Sequence, residues 1–140
     1  MKDSFSLTIS LPAQHLITFE AKIIMVPASD GYLGFMAGRQ PLIASLGPGL
    51  IHILDITDKD YWLGTTGGFC EMLDNQAILL CDSIIGPEDV QNLEEEPDTI
   101  LYRKEAKAMS EKQRINYVKK LLAEKLQKLE EAKKLETTNE

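Results

Sequence analysis

The sequence predicts a flattened antiparallel β-sandwich followed by a C-terminal helical region, a β + α class, and three observations carry that prediction. Up to about Ile85, apolar residues recur at every second position between regularly spaced turn signals. Beyond Ser110 they recur at spacings of three and four. Charge divides the chain at nearly the same place: residues 1–86 carry a net −5, residues 87–98 carry −6 without a single base, and residues 99–140 carry +4. The chain thus divides into a β domain over 1–86 and a helical domain over 87–140.

The first strand is read from Phe5, Leu7, Ile9 and Leu11, which alternate with Ser4, Ser6, Thr8 and Ser10 until Pro12 stops the run. Further β-rich runs cover His15 to Val26, Pro41 to Leu46, Leu50 to Thr57, Asp60 to Leu63, Phe69 to Leu73 and Ala77 to Cys81. Ser29-Asp30-Gly31, Gly47-Pro48-Gly49, Thr57-Asp58-Lys59, Gly67-Gly68 and Asp74-Asn75 supply the turns between them. The absence of helical periodicity between these runs favours a sandwich or flattened barrel over βαβ units. Gly86-Pro87-Glu88-Asp89 then ends a strand and starts a helix, with Pro suited to the first turn and acids favoured by the helix dipole. Pro97 cuts that helix short, leaving a brief first helix or a turn. Ser110 to Gln113 reads as a capping box, and Ile115, Val118, Leu122, Leu126 and Leu129 form one apolar stripe on a helix of about 25 residues.

Composition narrows the function. With 140 residues, 44% of them apolar and 26% charged, the chain has the make-up of an ordinary folded domain. A formal net charge of −7 argues against nucleic acid or anionic lipid as a general partner. The longest uninterrupted apolar run, Ala77 to Cys81, is far too short to cross a membrane, and Met1-Lys2-Asp3-Ser4 does not open like a signal or transit peptide. Neither spanning nor export is expected. Cys70 and Cys81 suit a reducing compartment and offer no metal-ligand spacing.

Candidate chemistry is sparse. His15 and His52, the two histidines, each sit inside a strand pattern and read as ordinary half-buried or surface side chains. Asp55, Asp58 and Asp60 cluster around a turn, where Asp is favoured by turn geometry; a metal enzyme built on them is the minor reading. No phosphate-binding loop is present. The densest signal runs from Asp30 to Leu42, followed by Gly47-Pro48-Gly49: glycines and prolines there predict tight turns, with Tyr32, Phe35, Met36 and Arg39 on or beside them. Exposed Tyr and Arg on such a loop are anchor types for a partner. From the residues alone, a free-standing β-sandwich adaptor with a helical dimerisation tail also fits.

That segment resembles the epsilon subunit of bacterial and chloroplast F-type ATP synthases, the counterpart of the mitochondrial delta subunit. The matching residues are Asp30, Gly31, Leu33, Gly34, Gly38, Pro41, Leu42, Pro48 and Gly49, with a second block at Gly67-Gly68-Phe69, Glu71, Asn75 and Leu79 to Ser83. Tyr32, Ala37, Arg39 and Gln40 depart from the family pattern, which has an acid or amide at the first of these. The resemblance implies a ten-stranded sandwich, a C-terminal helical hairpin, no catalytic residues and no cofactor. It implies a central-stalk subunit that couples the gamma subunit to the membrane c ring of a proton- or sodium-translocating complex, peripheral to the cytoplasmic face of a bacterial inner membrane. By matching position, Asp30, Gly31, Tyr32, Arg39 and Gln40 would lie on loops facing the ring. The tail, with Arg103, Lys104, Lys107, Lys112, Arg114, Lys119 and Lys120, would meet the alpha/beta catalytic hexamer and inhibit ATP hydrolysis. Where some members bind ATP, this chain has Gln91 and Glu94 in place of an Asp and an Arg, so tight ATP binding is not expected.

Overall fold

The computed structural model describes residues 3–12, 16–90 and 111–138. Among the described residues nine strands precede a helix: β1 (Phe5–Ser10), β2 (Leu16–Ala28), β3 (Gly31–Met36), β4 (Leu42–Leu46), β5 (Gly49–Asp55), β6 (Asp60–Thr65), β7 (Gly68–Leu73), β8 (Gln76–Cys81) and β9 (Ile84–Ile85). A short 3-10 turn, Pro87–Val90, comes next, and α1 spans Glu111–Thr138. The β-sandwich with a C-terminal helix is the architecture expected from the sequence. The first arm of the expected hairpin, with Pro97, Arg103, Lys104, Lys107 and the ATP-motif positions Gln91 and Glu94, lies outside the described residues, as does Ser110 of the capping box.

Strand β2 joins the two layers. Its first half pairs with β1 (Ile17 opposite Ile9, Phe19 opposite Leu7), and its second half pairs with β3 on one side and β5 on the other. The register with β5 slips between Ala21 and Ile23, so the strand carries a bulge at Lys22. The inward set changes parity there, from Ile17, Phe19 and Ala21 to Ile24 and Val26. A bulge of this kind hides a strand from a strict period-two reading. One layer runs β1-β8-β7-β4 and the other β3-β2-β5-β6-β9. Between them lie Phe5, Leu7, Ile9, Ile24, Val26, Phe35, Ile51, Ile53, Met72 and Leu79, all buried.

Two expectations need correction. Strand β1 runs parallel to β8, so the sandwich is antiparallel except at that pair. The two strands are more than sixty residues apart, and no hairpin dictates their relative direction. The segment from Gly31 to Met36 is a strand, not a run of turns. Gly31 (φ +132°) and Gly38 (φ +83°) sit at its ends, where the chain needs conformations that side-chain-bearing residues avoid, while Gly34 within it is extended. Leu33 and Phe35 point inward and Tyr32 and Met36 outward, the alternation of any half-buried strand.

Helix α1 closes a second, smaller core. Val118 and Leu122 are fully buried with Leu50 and Ile85, and Ile115, Trp62, Tyr117, Leu121 and Leu126 pack around them. Gly64 makes that contact possible: a Cβ there would collide with Cγ1 of Val118, so the helix rests directly on the backbone of β6. Of the apolar stripe expected at 115, 118, 122, 126 and 129, the first four thus dock on the sandwich, while Leu129 lines the open groove beside it.

Candidate docking surfaces

The acidic turn after β5 is satisfied within itself. Asp55 Oδ1 accepts hydrogen bonds from the Thr57 hydroxyl (2.6 Å) and from the backbone N–H groups of Thr57 (2.8 Å) and Lys59 (3.0 Å). These bonds, that from the Thr57 side chain foremost, hold its carboxyl below the usual carboxylate range. Asp58 takes a left-handed conformation (φ +64°) and pairs with Lys22 at 2.7 Å, and Asp60 pairs with His52 at 2.6 Å. Among the described residues no group of three His, Cys, Asp or Glu side chains could hold a metal ion. Burial, reinforced by neighbouring Cys81, pushes the Cys70 thiol up to about 12; burial also raises Cys81. Both thiols are therefore unreactive at neutral pH.

His52 lies beside the seat of α1. Its ring stacks on Trp62 at 4.1 Å, with planes 11° apart, and Lys125 of α1 sets its Nζ 4.5 Å from the centre of the Trp62 ring on the helix side. His52, Asp60, Trp62, Leu126 and Leu129 line an open groove of about 1000 Å³ between the β5–β6 hairpin and the second half of α1. His15 lies outside the described residues.

The residues expected to face a ring do not form one cluster. Asp30 lies in the β2–β3 turn, Gly31 opens β3 opposite Ala28, and Tyr32 comes next as an exposed strand residue opposite Pro27. Arg39 and Gln40 lie past the other end of β3, separated from Asp30 by a strand about 20 Å long. Tyr32 is therefore on a strand, contrary to the loop position expected for it. Its hydroxyl accepts a hydrogen bond from Leu50 N (3.4 Å), so the ring leans back across β2. The turn before Arg39 is pinned by Gly38 N donating to Asn75 Oδ1 (2.8 Å).

Among the tail residues, Lys112 is exposed while Arg114, Lys119 and Lys120 are half-buried on α1. Arg114 borders a cleft of about 440 Å³ with Thr66, Gly67 and Asp82, and its Nε is buried with no hydrogen-bond partner among the described residues.

The largest feature missed by sequence reasoning is the outer face of β4-β7-β8. Ile43 (77% exposed), Phe69 (59%), Leu73, Ile78 and Leu80 (53%) all stand on it. Their registers align them in rows, Ser45–Phe69–Leu80–Ser10 and Ile43–Glu71–Ile78–Thr8. The signal was present: Ala77 to Cys81 is apolar at every position, whereas a strand with one wet face should alternate. Apolar side chains grouped on an exposed sheet face make it a candidate for a protein–protein contact.

The arrangement defines a class, a β-sandwich docking module whose own helix covers one face and leaves the other bare. Comparison with known proteins identifies the family. The model for the ATP synthase delta/epsilon chain β-sandwich domain matches residues 4–87, and the chain belongs to that family. It is 34% identical over 112 residues to an ATP synthase epsilon chain of Dichelobacter nodosus, covering 80% of this chain and 73% of that one. It is 29% identical over 90 residues to the epsilon chain of Desulfosudis oleivorans, covering 64% of this chain and 68% of the relative. Against a second epsilon chain, of Ralstonia nicotianae, the match spans half of either length. In three dimensions it resembles a chain in a structure of the Euglena gracilis mitochondrial ATP synthase OSCP/F1/c-ring, with a TM-score of 0.66 at 17% identity over 90% of this chain and 83% of that one. A chain in the central stalk/c-ring structure of the Tetrahymena thermophila enzyme gives 0.57 at 19% identity, over 85% and 93%. Membership makes the chain a structural rather than a catalytic subunit of an ATP synthase. No described helix is long and apolar enough to cross a membrane.

Proposed function

We propose that the chain is a central-stalk subunit of an F-type ATP synthase that joins the gamma subunit to the membrane c ring, peripheral to the cytoplasmic face of a bacterial membrane. The observation that carries this is the bare apolar face of Ile43, Phe69, Leu73, Ile78 and Leu80 in a member of that family. A subunit that transmits torque needs a broad, dry contact on one partner, and this face has the apolar character for gamma. The c ring takes the length of β3, with Asp30, Gly31 and Tyr32 at one end and Arg39 and Gln40 at the other. Helix α1 and the basic residues preceding it take the alpha/beta hexamer when released from the sandwich, and restrain ATP hydrolysis. The seat of α1 on Leu50, Gly64 and Ile85 supports this reading, because it gives the helix a position on the sandwich from which it would be released.

Co-expression with gamma, alpha, beta and the c subunit tests the reading. The chain is expected to copurify with gamma, and Phe69→Glu to abolish that capture while leaving the thermal midpoint of the isolated chain nearly unchanged. Tyr32→Ala with Arg39→Ala is expected to weaken retention of the ring alone. Deleting residues 99–140 is expected to raise ATP hydrolysis by the reconstituted complex. A chain that ignores gamma and is complete by itself in size-exclusion chromatography would be an adaptor instead.

A further inference from the structure

Strand β3 pairs only with β2; among the described residues nothing pairs with its outer edge. Exposed edges are ordinarily blunted by a charge, a proline, a bulge or a covering loop. The β3 edge, Gly31-Tyr32-Leu33-Gly34-Phe35-Met36, has no charged residue and no proline, and its register against β2 is unbroken over six residues. Tyr32, the one large ring that could shield it, leans away toward Leu50.

We propose that this edge pairs, antiparallel and about a twofold axis through Gly34, with β3 of a second copy of the chain. The strand is complementary to itself in that register. Gly34 meets Gly34 on the axis, where no side chain obstructs the approach. Tyr32 stands opposite Met36 twice on the outer face, both exposed in the monomer (60% and 58%), a favourable aromatic–thioether pairing. Leu33 stands opposite Phe35 twice on the inner face, extending each core across the junction. The strand ends carry opposite charges: the Asp30 end of one copy comes beside the Gly38–Arg39 end of the other, at both ends. A register displaced by one residue would set outward against inward side chains, and one displaced by two would remove Gly34 from the axis.

The contact is isologous and small. Two six-residue strands bury less than the roughly 1,000 Å² of a stable interface, so the association is weak and depends on concentration. It uses the strand assigned above to the c ring, and so belongs to the unassembled subunit. The inference stands on the β3 edge alone and does not rest on the rotor reading.

Engineered cross-linking of the full chain tests it. Gly34 tolerates a side chain: its backbone is extended, and a Cβ would meet only Ile24 O, at 3.7 Å. Under oxidation Gly34→Cys is expected to double its mass through one disulfide, because its two copies face each other on the axis. Tyr32→Cys, four residues out of register with its own copy, is expected to remain monomeric, and the double variant Tyr32→Cys/Met36→Cys to link again. Cys70 and Cys81 are buried and contribute no background. In sedimentation equilibrium the wild type is expected to dimerise with rising concentration, and Gly34→Lys, which puts two like charges on the axis, to stay monomeric. Equal linking of Gly34→Cys and Tyr32→Cys, or a monomeric Gly34→Cys that retains the Trp62 fluorescence of the wild type, would overturn the proposal and leave the rotor reading untouched. Loss of the wild-type Trp62 emission in Gly34→Cys passes the decision to the double variant, whose failure to link overturns it equally.

Discussion

The two outer faces of the sandwich differ in how their apolar residues are covered. On the β5-β6-β9 side, Leu50, Trp62 and Ile85 are roofed by Val118 and Leu122 of the same chain. On the β4-β7-β8 side, Ile43, Phe69, Leu73, Ile78 and Leu80 have no such roof among the described residues. One face is covered by the helix, and the other is exposed among the described residues. The difference is visible in backbone detail, because the covered face carries Gly64 where the helix touches and the bare face carries Phe69 where nothing does. A helix that seats on glycine comes close enough to bury its own side chains on the sheet, whereas large side chains on the other face stand out from it.

The largest expected effect comes from breaking the covered face. Leu122→Ala removes a fully buried side chain from the small core and is expected to cost about 2–5 kcal/mol. The loss falls on α1 docking rather than on the sandwich, whose main core does not include Leu122. Trp62, the single tryptophan, lies under α1, so its emission is expected to shift to the red while the β-sheet circular dichroism persists. Simultaneous loss of both signals would mean that helix and sandwich are one cooperative unit. Gly64→Leu attacks the same contact from the other side and is expected to release the helix equally well. By contrast, Phe69→Ala on the bare face is expected to change stability by no more than about 0.5 kcal/mol, since the ring is mostly exposed. A larger loss by thermal denaturation would show that the bare face is not bare.

The same contrast explains what the sequence made legible. Strands β1, β4, β5, β7 and β8 announce themselves because their inward residues alternate or their turns are specific. Asp74 and Asn75, both at positive φ (+50° and +58°), make the two-residue hairpin turn that their residue types favour. The helix stripe at 115, 118, 122 and 126 was legible for the same reason. Strand β3 was not, because three glycines in eight residues imitate a turn-rich loop, and only register against β2 tells an extended Gly34 from a bent one. Of the residues expected to face a ring, Tyr32 and Arg39 read as loop positions and not as lying toward the two ends of one strand. The Phe69–Leu80 face escaped because continuous apolarity signals a core until the neighbouring layers are known.

A smaller effect separates the two ways in which α1 is held. Lys125 lies over Trp62 and is partly solvated, so Lys125→Ala is expected to weaken helix docking by about 0.5–1 kcal/mol, well below the effect of Leu122→Ala. Lys125→Met, which keeps the stem and removes the charge, is expected to lose less, because part of the contribution is the packing of the chain on the indole. If the two variants lose the same, the cation and not the packing is what holds the helix there.

The smallest effect lies on neither face and serves as their reference. Asp55 is half-buried at the end of β5, its carboxyl held below the usual carboxylate range by the Thr57 hydroxyl and the N–H groups of Thr57 and Lys59. A depressed carboxyl contributes stability that is present above its unfolded value and lost as the pH falls through its folded value. The contribution therefore disappears only in acid, below the ordinary carboxylate range, and is constant at neutral pH. Asp55→Asn is expected to flatten the acid limb of a stability-against-pH curve slightly and to leave the Trp62 emission at pH 7 unchanged. A shift of that emission would mean that the hairpin tip, and not the Gly64–Val118 contact alone, sets where α1 rests.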